Sequence, residues 1–198
     1  MIKVLAIVGS PRKGMNNDIL LENFIKGMKD IDTNIEVEKI YAAEVKALPC
    51  IACDACTKKL GCILKDSTNE IYEKYNNSDI IIVTSPLYFN SVSAQLKALI
   101  DRNQAIWSSK YALNNSMIDR DKKRLGFVIC TAGAKEQPYG LSAITPIMDL
   151  FFKSINTEYI GNYFVSNLDE KPVSSDEKIL IECREHGRSL MEKAELSK

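Results

Sequence analysis

Four of the chain's six cysteines crowd into one short stretch, spaced Cys50-x2-Cys53-x2-Cys56-x5-Cys62. Four thiolates so close in sequence can converge on one centre. Soft thiolate donors select zinc, copper(I) or iron–sulfur clusters. Three evenly spaced thiols plus a fourth follow the two-residue gaps of ferredoxin-type ligation by four cysteines. Zinc also takes four thiolates, commonly as two separated pairs. Free or disulfide-forming thiols are the third reading, and spacing alone leaves all three open. Lys58, Lys59 and Lys65 lie in or beside the stretch and would offset cluster charge, although lysines in a solvated loop need no such role. Cys130 and Cys183 stand apart and are expected to be buried, inert thiols. His186, the only histidine, is expected on the surface of a terminal helix, and no residue is assigned a catalytic role.

Three further segments carry polar or aromatic side chains directly after apolar runs. Gly9-Ser10-Pro11-Arg12-Lys13-Gly14-Met15-Asn16-Asn17 joins one such run to a helical pattern. Backbone N–H groups at a helix start attract phosphate, and Ser10, Arg12, Asn16 and Asn17 add donors and charge. The segment is neither a Walker A loop nor a Gly-x-Gly-x-x-Gly fingerprint, and an ordinary polar turn is the competing reading. Pro86-Leu87-Tyr88-Phe89-Asn90 suits a wall for a flat ring, unless its aromatics pack as core. Thr131-Ala132-Gly133 ends on a residue that permits close backbone approach.

The elements that must position these segments are legible from periodicity. Residues 2–8, 35–40, 80–84, 125–130 and 159–165 are β-branched, apolar runs. Helical spacing of apolar residues covers roughly 16–28, 69–76, 93–101, 141–153 and 176–194, with Ser67 as a candidate N-cap. Strand and helix alternate five times, which predicts an α/β fold: a doubly wound five-stranded parallel sheet of order 2-1-3-4-5. Ligands of such sheets bind beyond the strands' carboxyl ends, where the order reverses, so loops 9–17, 85–93 and 131–139 are predicted to form one site. The cysteine-rich insertion, about 44–66, follows strand two and is expected at the same edge. Residues 103–122 read as polar and irregular, with Trp107 and Tyr111 as candidates to cover a partner subunit.

Composition bounds the rest. The 198 residues carry 26 Lys+Arg against 26 Asp+Glu, so no positive excess points to nucleic acid or a membrane surface. No apolar run approaches the roughly 20 residues needed to span a bilayer. The apolar opening is too short for a signal sequence. The expectation is a single cytoplasmic domain over residues 1–198.

Gly9-Ser10-Pro11-Arg12-Lys13 with Asn16, then Ser85-Pro86-Leu87-Tyr88-Phe89, then Gln95-Leu96-Lys97-Ala98-Leu99-Ile100-Asp101-Arg102, resemble the NADPH-dependent FMN reductase group of flavodoxin-like proteins. With the cysteines, they resemble its iron–sulfur flavoprotein branch. The resemblance covers most of residues 2–133. It implies that Ser10, Arg12, Asn16 and Asn17 bind the FMN phosphate. It implies that Pro86, Leu87, Tyr88, Phe89 and Asn90, with Thr131, Ala132 and Gly133, surround the isoalloxazine. It adds weight to a [4Fe-4S] cluster on Cys50, Cys53, Cys56 and Cys62. Two departures stand out: Asn17 where the group has Thr, and Met15 where it has Gly. The resemblance further implies electron transfer from ferredoxin or NAD(P)H to a small-molecule acceptor, in a homodimer or homotetramer. Alternatives are an NAD(P)H-dependent FMN or quinone reductase without a cluster, and a zinc-stabilised flavodoxin-like interaction module without catalysis.

Overall fold

The computed structural model describes residues 1–135 and 137–196. Five strands, β1 (Ile2–Val8), β2 (Ile35–Tyr41), β3 (Ile80–Pro86), β4 (Leu125–Thr131) and β5 (Glu158–Val165), form one parallel sheet of order β2-β1-β3-β4-β5. The six helices are α1 (Asn16–Ile31), α2 (Thr68–Asn77), α3 (Ala94–Arg102), α4 (Gln104–Tyr111), α5 (Thr145–Ser154) and α6 (Glu177–Leu196).

The three central strands are apolar on both faces because both faces are covered. Val4, Ala6, Val8, Ile80, Ile82, Phe127 and Ile129 pack against α1 and α6. Leu5, Ile7, Ile81, Val83, Val128 and Cys130 pack on the other face, under α2 to α5. Edge strand β2 instead alternates half-buried and exposed positions over Ile35–Lys39, as a strand covered on one face does. Register runs unbroken from Ile2↔Ile35 to Val8↔Tyr41 and from Val4↔Ile80 to Val8↔Thr84. The β4–β5 pairing shifts once, between Gly126 and Phe127.

Helices α1 and α6 meet backbone to backbone. A Cβ built on Gly27 would lie 1.9 Å from the Arg184 carbonyl oxygen, and one on Gly187 would lie 2.0 Å from that of Phe24. Two glycines in facing helices therefore fix how closely the layer packs.

Three sequence expectations need correction. Residues 103–122 are not irregular throughout: α4 follows α3 after a single residue, and its Ala105, Ile106, Ser108, Ser109 and Lys110 are buried. The segment reads as polar because Ser108, Ser109 and Lys110 share the inward face with Ala105 and Ile106. Ser67 precedes α2, but its side chain makes no capping bond; Asp66 Oδ1 accepts the Thr68 N–H instead, at 3.0 Å. His186 is half-buried between the Tyr163 and Phe127 rings, with centroids at 4.9 and 5.7 Å, and burial pushes its pKa down. Cys130 and Cys183 are fully buried, and burial pushes both thiols up to about 12. Among the described residues, no helix is long and apolar enough to cross a membrane.

Candidate functional site

The sheet order reverses between β1 and β3, so the loops that leave their carboxyl ends diverge and open a cleft. Ser93 holds the cleft's floor. Its hydroxyl donates to the Gly9 carbonyl at 2.6 Å and accepts the Leu96 N–H at 3.3 Å, capping α3. The Ser93 N–H in turn donates to Ser85 Oγ at 3.2 Å. The loops after β1 and β3 are thus tied together by buried hydroxyls.

A cavity of about 330 Å³ lies in this cleft, within the range of small-molecule pockets. The first loop contributes Ser10, Arg12, Asn16 and Asn17, the second Pro86, Leu87 and Tyr88, and the third Thr131, Ala132 and Gly133. Ten of the twelve residues named from sequence therefore share one cavity. Phe89 and Asn90 are not among its lining. They form a tight turn, with φ of 48° and 55°, between Tyr88 and Ser91, whose backbones exchange two hydrogen bonds of 2.9 Å. Left-handed backbone at a bulky residue is strained, and it turns the fully exposed Phe89 outward.

The cavity's polar end fits an anion. Met15 precedes α1 and makes no side-chain cap, so the first-turn N–H groups have no capping oxygen from the chain. Asn17 is buried; its Nδ2 donates to Thr131 Oγ1 at 2.9 Å, while its Oδ1 has no partner. That oxygen is an acceptor, so it would take a hydroxyl or N–H donor of a bound ligand, while the attraction for a phosphate comes from the uncapped N–H groups. Asn16 Oδ1 accepts the Val173 N–H at 3.3 Å, and Ser10 Oγ accepts the Arg12 N–H at 3.2 Å, so both side chains also shape the loop. Lys13 is diverted: it pairs with Glu44 and lies over the Tyr41 ring, 4.5 Å from its centroid.

Sequence reasoning missed Met15 as a wall, together with Ala134, Gln137, Leu168 and Asp169. The last two come from the loop after β5, which pairs with loop 132–134 through Leu168 N–H to Ala132 O (3.3 Å) and Asp169 N–H to Gly133 O (3.1 Å). A Cβ on Gly133 would lie 2.4 Å from the Asp169 carboxylate. The available signal was the turn-forming composition of residues 166–172.

The four cysteines ring a second, narrow cavity with Arg102, Gln104 and Ala105. The backbone is bent to bring them there: Ala52 and Asp54 flank Cys53 with φ of 50° and 56°, and Gly61 precedes Cys62 with φ of 85°. Cys50 and Cys53 are exposed; Cys56 and Cys62 are half-buried against the core. Cys56 Sγ lies 3.5 Å from Ser108 Oγ on α4. Among the described residues, no three His, Cys, Asp or Glu side chains converge on a single metal-ion point. The thiols share a cavity, and the all-sulfur donor set is that of four-cysteine iron–sulfur ligation.

Among the described residues, the two cavities have no lining residue in common. The expected common edge holds for the start of the cysteine loop and not for its far end. The loop leaves the carboxyl edge after β2 but folds back over one sheet face. It settles against the α3–α4 junction, about 13 Å along α3 from its start at the cleft. Val45 and Ala47 pull it there by packing into the core under α2 to α5.

The model of a family described as NADPH-dependent FMN reductase matches residues 2–139. An iron–sulfur flavoprotein of Methanosarcina thermophila is 35% identical over 116 residues, 59% of this chain and 60% of that protein. An iron–sulfur flavoprotein of Methanocaldococcus jannaschii is 31% identical over 196 residues, 97% of this chain and 92% of that one. Four of the iron–sulfur flavoproteins matched are covered over only 45% to 60% of their length. The solved NAD(P)H:quinone oxidoreductase of Methanothermobacter marburgensis superposes with a TM-score of 0.67 at 18% identity, over 96% of each chain, which shows the shared flavodoxin-like fold. The chain belongs to the NADPH-dependent FMN reductase family, in its iron–sulfur flavoprotein branch.

Proposed function

We propose that the chain is an FMN-dependent oxidoreductase that also carries a [4Fe-4S] cluster and passes electrons from NAD(P)H or reduced ferredoxin to a small-molecule acceptor. The observation that carries this reading is the coexistence of two cavities with matched chemistry. One is a cleft at the uncapped start of α1; the other is a cavity ringed by four thiols. The names of the relatives support the same pairing.

Ser10, Arg12, Asn16 and Asn17, with the uncapped start of α1, would hold the FMN phosphate. Most of that attraction comes from N–H groups and the helix dipole. Pro86, Leu87 and Tyr88 form one wall against a flat ring and Ala132 with Gly133 the other, which keeps water from its faces. Cys50, Cys53, Cys56 and Cys62 would hold the cluster as thiolates. When bound, FMN supplies hydride and one-electron chemistry and the cluster one-electron transfer. The chain's part is to orient them and to tune their charge environment.

Anaerobic isolation followed by flavin, iron and sulfide assays tests the proposal. One FMN with about four iron and four sulfide per chain is expected. A yellow protein without iron reduces it to an FMN reductase with free thiols. Stoichiometric zinc without flavin overturns it. Rapid mixing with NADPH or with reduced ferredoxin then identifies the donor by which one bleaches the flavin.

A further inference from the structure

The cysteine cavity contains one residue that the thiol chemistry does not by itself call for. Arg102, the last residue of α3, lines the cavity and is fully buried in its side chain. A buried guanidinium needs a counter-charge and hydrogen-bond acceptors. Asp66 supplies the charge: it pairs with Nη1, and its Oδ1 accepts from Nη2 at 3.1 Å. The Leu48 carbonyl accepts from Nη1 at 2.9 Å. Asp66 also accepts the Leu48 N–H at 3.0 Å. Leu48 and Asp66 bracket the cysteines in sequence, so one arginine holds both ends of the loop. Its Nε–H has no partner at all, although it is buried.

We infer that Arg102 is the positioning residue of the iron–sulfur centre: it clamps the loop that carries the four thiols and presents a buried positive charge with a free N–H donor to the cluster they would hold. This rests on the cluster reading above. Four thiolates around an oxidised cubane core carry net negative charge, and one-electron reduction adds another unit. A neighbouring cation therefore favours reduction and raises the potential. Asp66 acts in the opposite sense, and its distance from the centre is set by Arg102 itself. A residue of purely structural importance would show no such sign pattern.

The test is anaerobic redox titration, followed by electron paramagnetic resonance of the reduced cluster, with iron and sulfide counted per chain. The proteins are the wild type, Arg102→Gln, Asp66→Asn and the Asp66→Asn/Arg102→Gln pair, which removes both charges without leaving one buried alone. Arg102→Gln is expected to lower the reduced-to-oxidised ratio at fixed potential at least tenfold, about 59 mV for a one-electron couple. Asp66→Asn is expected to shift it upward. The double variant should fall between the two, with its spectrum altered from wild type. If Arg102→Gln fails to fold, the upward shift in Asp66→Asn decides. A cluster-bearing Asp66→Asn or double variant with wild-type potential and spectrum overturns the inference and leaves the proposed function intact. Wild-type protein that holds no iron overturns the proposed function instead.

Discussion

Asn17→Asp is the sharpest probe of the phosphate cleft. The change replaces one amide nitrogen by oxygen and adds a full negative charge at a buried position in the first turn of α1. The fold should tolerate it: a carboxylate can still accept the Thr131 hydroxyl, which the Asn17 amide meets at 2.9 Å, and the helix start favours negative charge. A phosphate held at the same helix start would not. At a separation of about 5 Å and an effective dielectric near 20, two unit charges repel by about 3 kcal/mol, roughly a hundredfold in affinity. Asn17→Ala removes the polar atoms without adding charge and should cost about 1 kcal/mol. The assay is titration of flavin-free protein with FMN and, separately, with riboflavin, which has the same ring and no phosphate. FMN affinity should drop about a hundredfold in Asn17→Asp, while riboflavin affinity changes less than about threefold. Equal losses for both flavins, or no loss for FMN, would refute the assignment of this cleft to the phosphate.

Iodoacetamide applied to metal-free protein at pH 8 should label Cys50, Cys53, Cys56 and Cys62 and spare Cys130 and Cys183, whose thiols burial holds near 12; mass spectrometry of the native and unfolded chain counts the labels. Gly27→Ala gains about 1 kcal/mol of helix propensity but drives a methyl into the Arg184 carbonyl, so a net loss of about 2 kcal/mol and a melting point lower by roughly 4–8 °C are expected in a thermal scan. Lys110 is buried, and burial together with Arg120 and Arg124 brings its ammonium down to about 8. Because the unfolded chain then binds that proton more tightly between about pH 8 and 10.4, this group makes the fold more stable as pH rises through that window. Lys110→Met should be more stable than wild type in urea titrations at pH 7.5, by about 1–2 kcal/mol, and lose that advantage by pH 10.5.

Periodicity made the fold legible because the central strands bury both faces. Ile80, Ile81, Ile82 and Val83 have no polar face to confuse with a helix, and each central run is followed by a break in composition. The cleft was legible because parallel topology delivers every strand's carboxyl end to one edge, whatever the loops do afterwards. What lay beyond local pattern was long-range. Nothing near Gly27 announces that Gly187, on the last helix, needs its missing side chain. Leu168 and Asp169 reach the cleft only through pairing between two loops that are far apart in sequence. Strand order places the start of the cysteine loop but not its end, because the anchors, Val45, Ala47 and the Arg102–Asp66 pair, are tertiary contacts. Asp101-Arg102 reads in sequence as an ordinary helix end, since burial, the property that distinguishes Arg102, is invisible there.

On the proposed function, the two cavities would meet negative charge by opposite means, and burial explains the difference. In the cleft, the one lining cation among the described residues, Arg12, is exposed, and Lys13 is held away by Glu44. Exposed charges are screened by water, so attraction there falls to N–H groups fixed in the backbone, which a phosphate can approach directly and leave again. In the cysteine cavity, the cation is fully buried and fixed by Asp66, Leu48 and the end of α3. Hydrogen bonding from that guanidinium and from the Leu48 and Thr68 N–H groups outweighs the desolvation that opposes ionisation, and holds the Asp66 carboxyl well below the usual carboxylate range. The pair therefore stays ionised across the physiological range, and its field on the thiols does not vary with pH. The proposed cluster, whose charge would change by one electron, would thus sit beside a cation whose field does not vary with pH. The buried pair is more costly to assemble than a surface lysine would be. Lys58, Lys59 and Lys65, outside the cavity's lining, cannot substitute for it: water screens their charges, and no element of the sheet fixes their distance from the sulfurs.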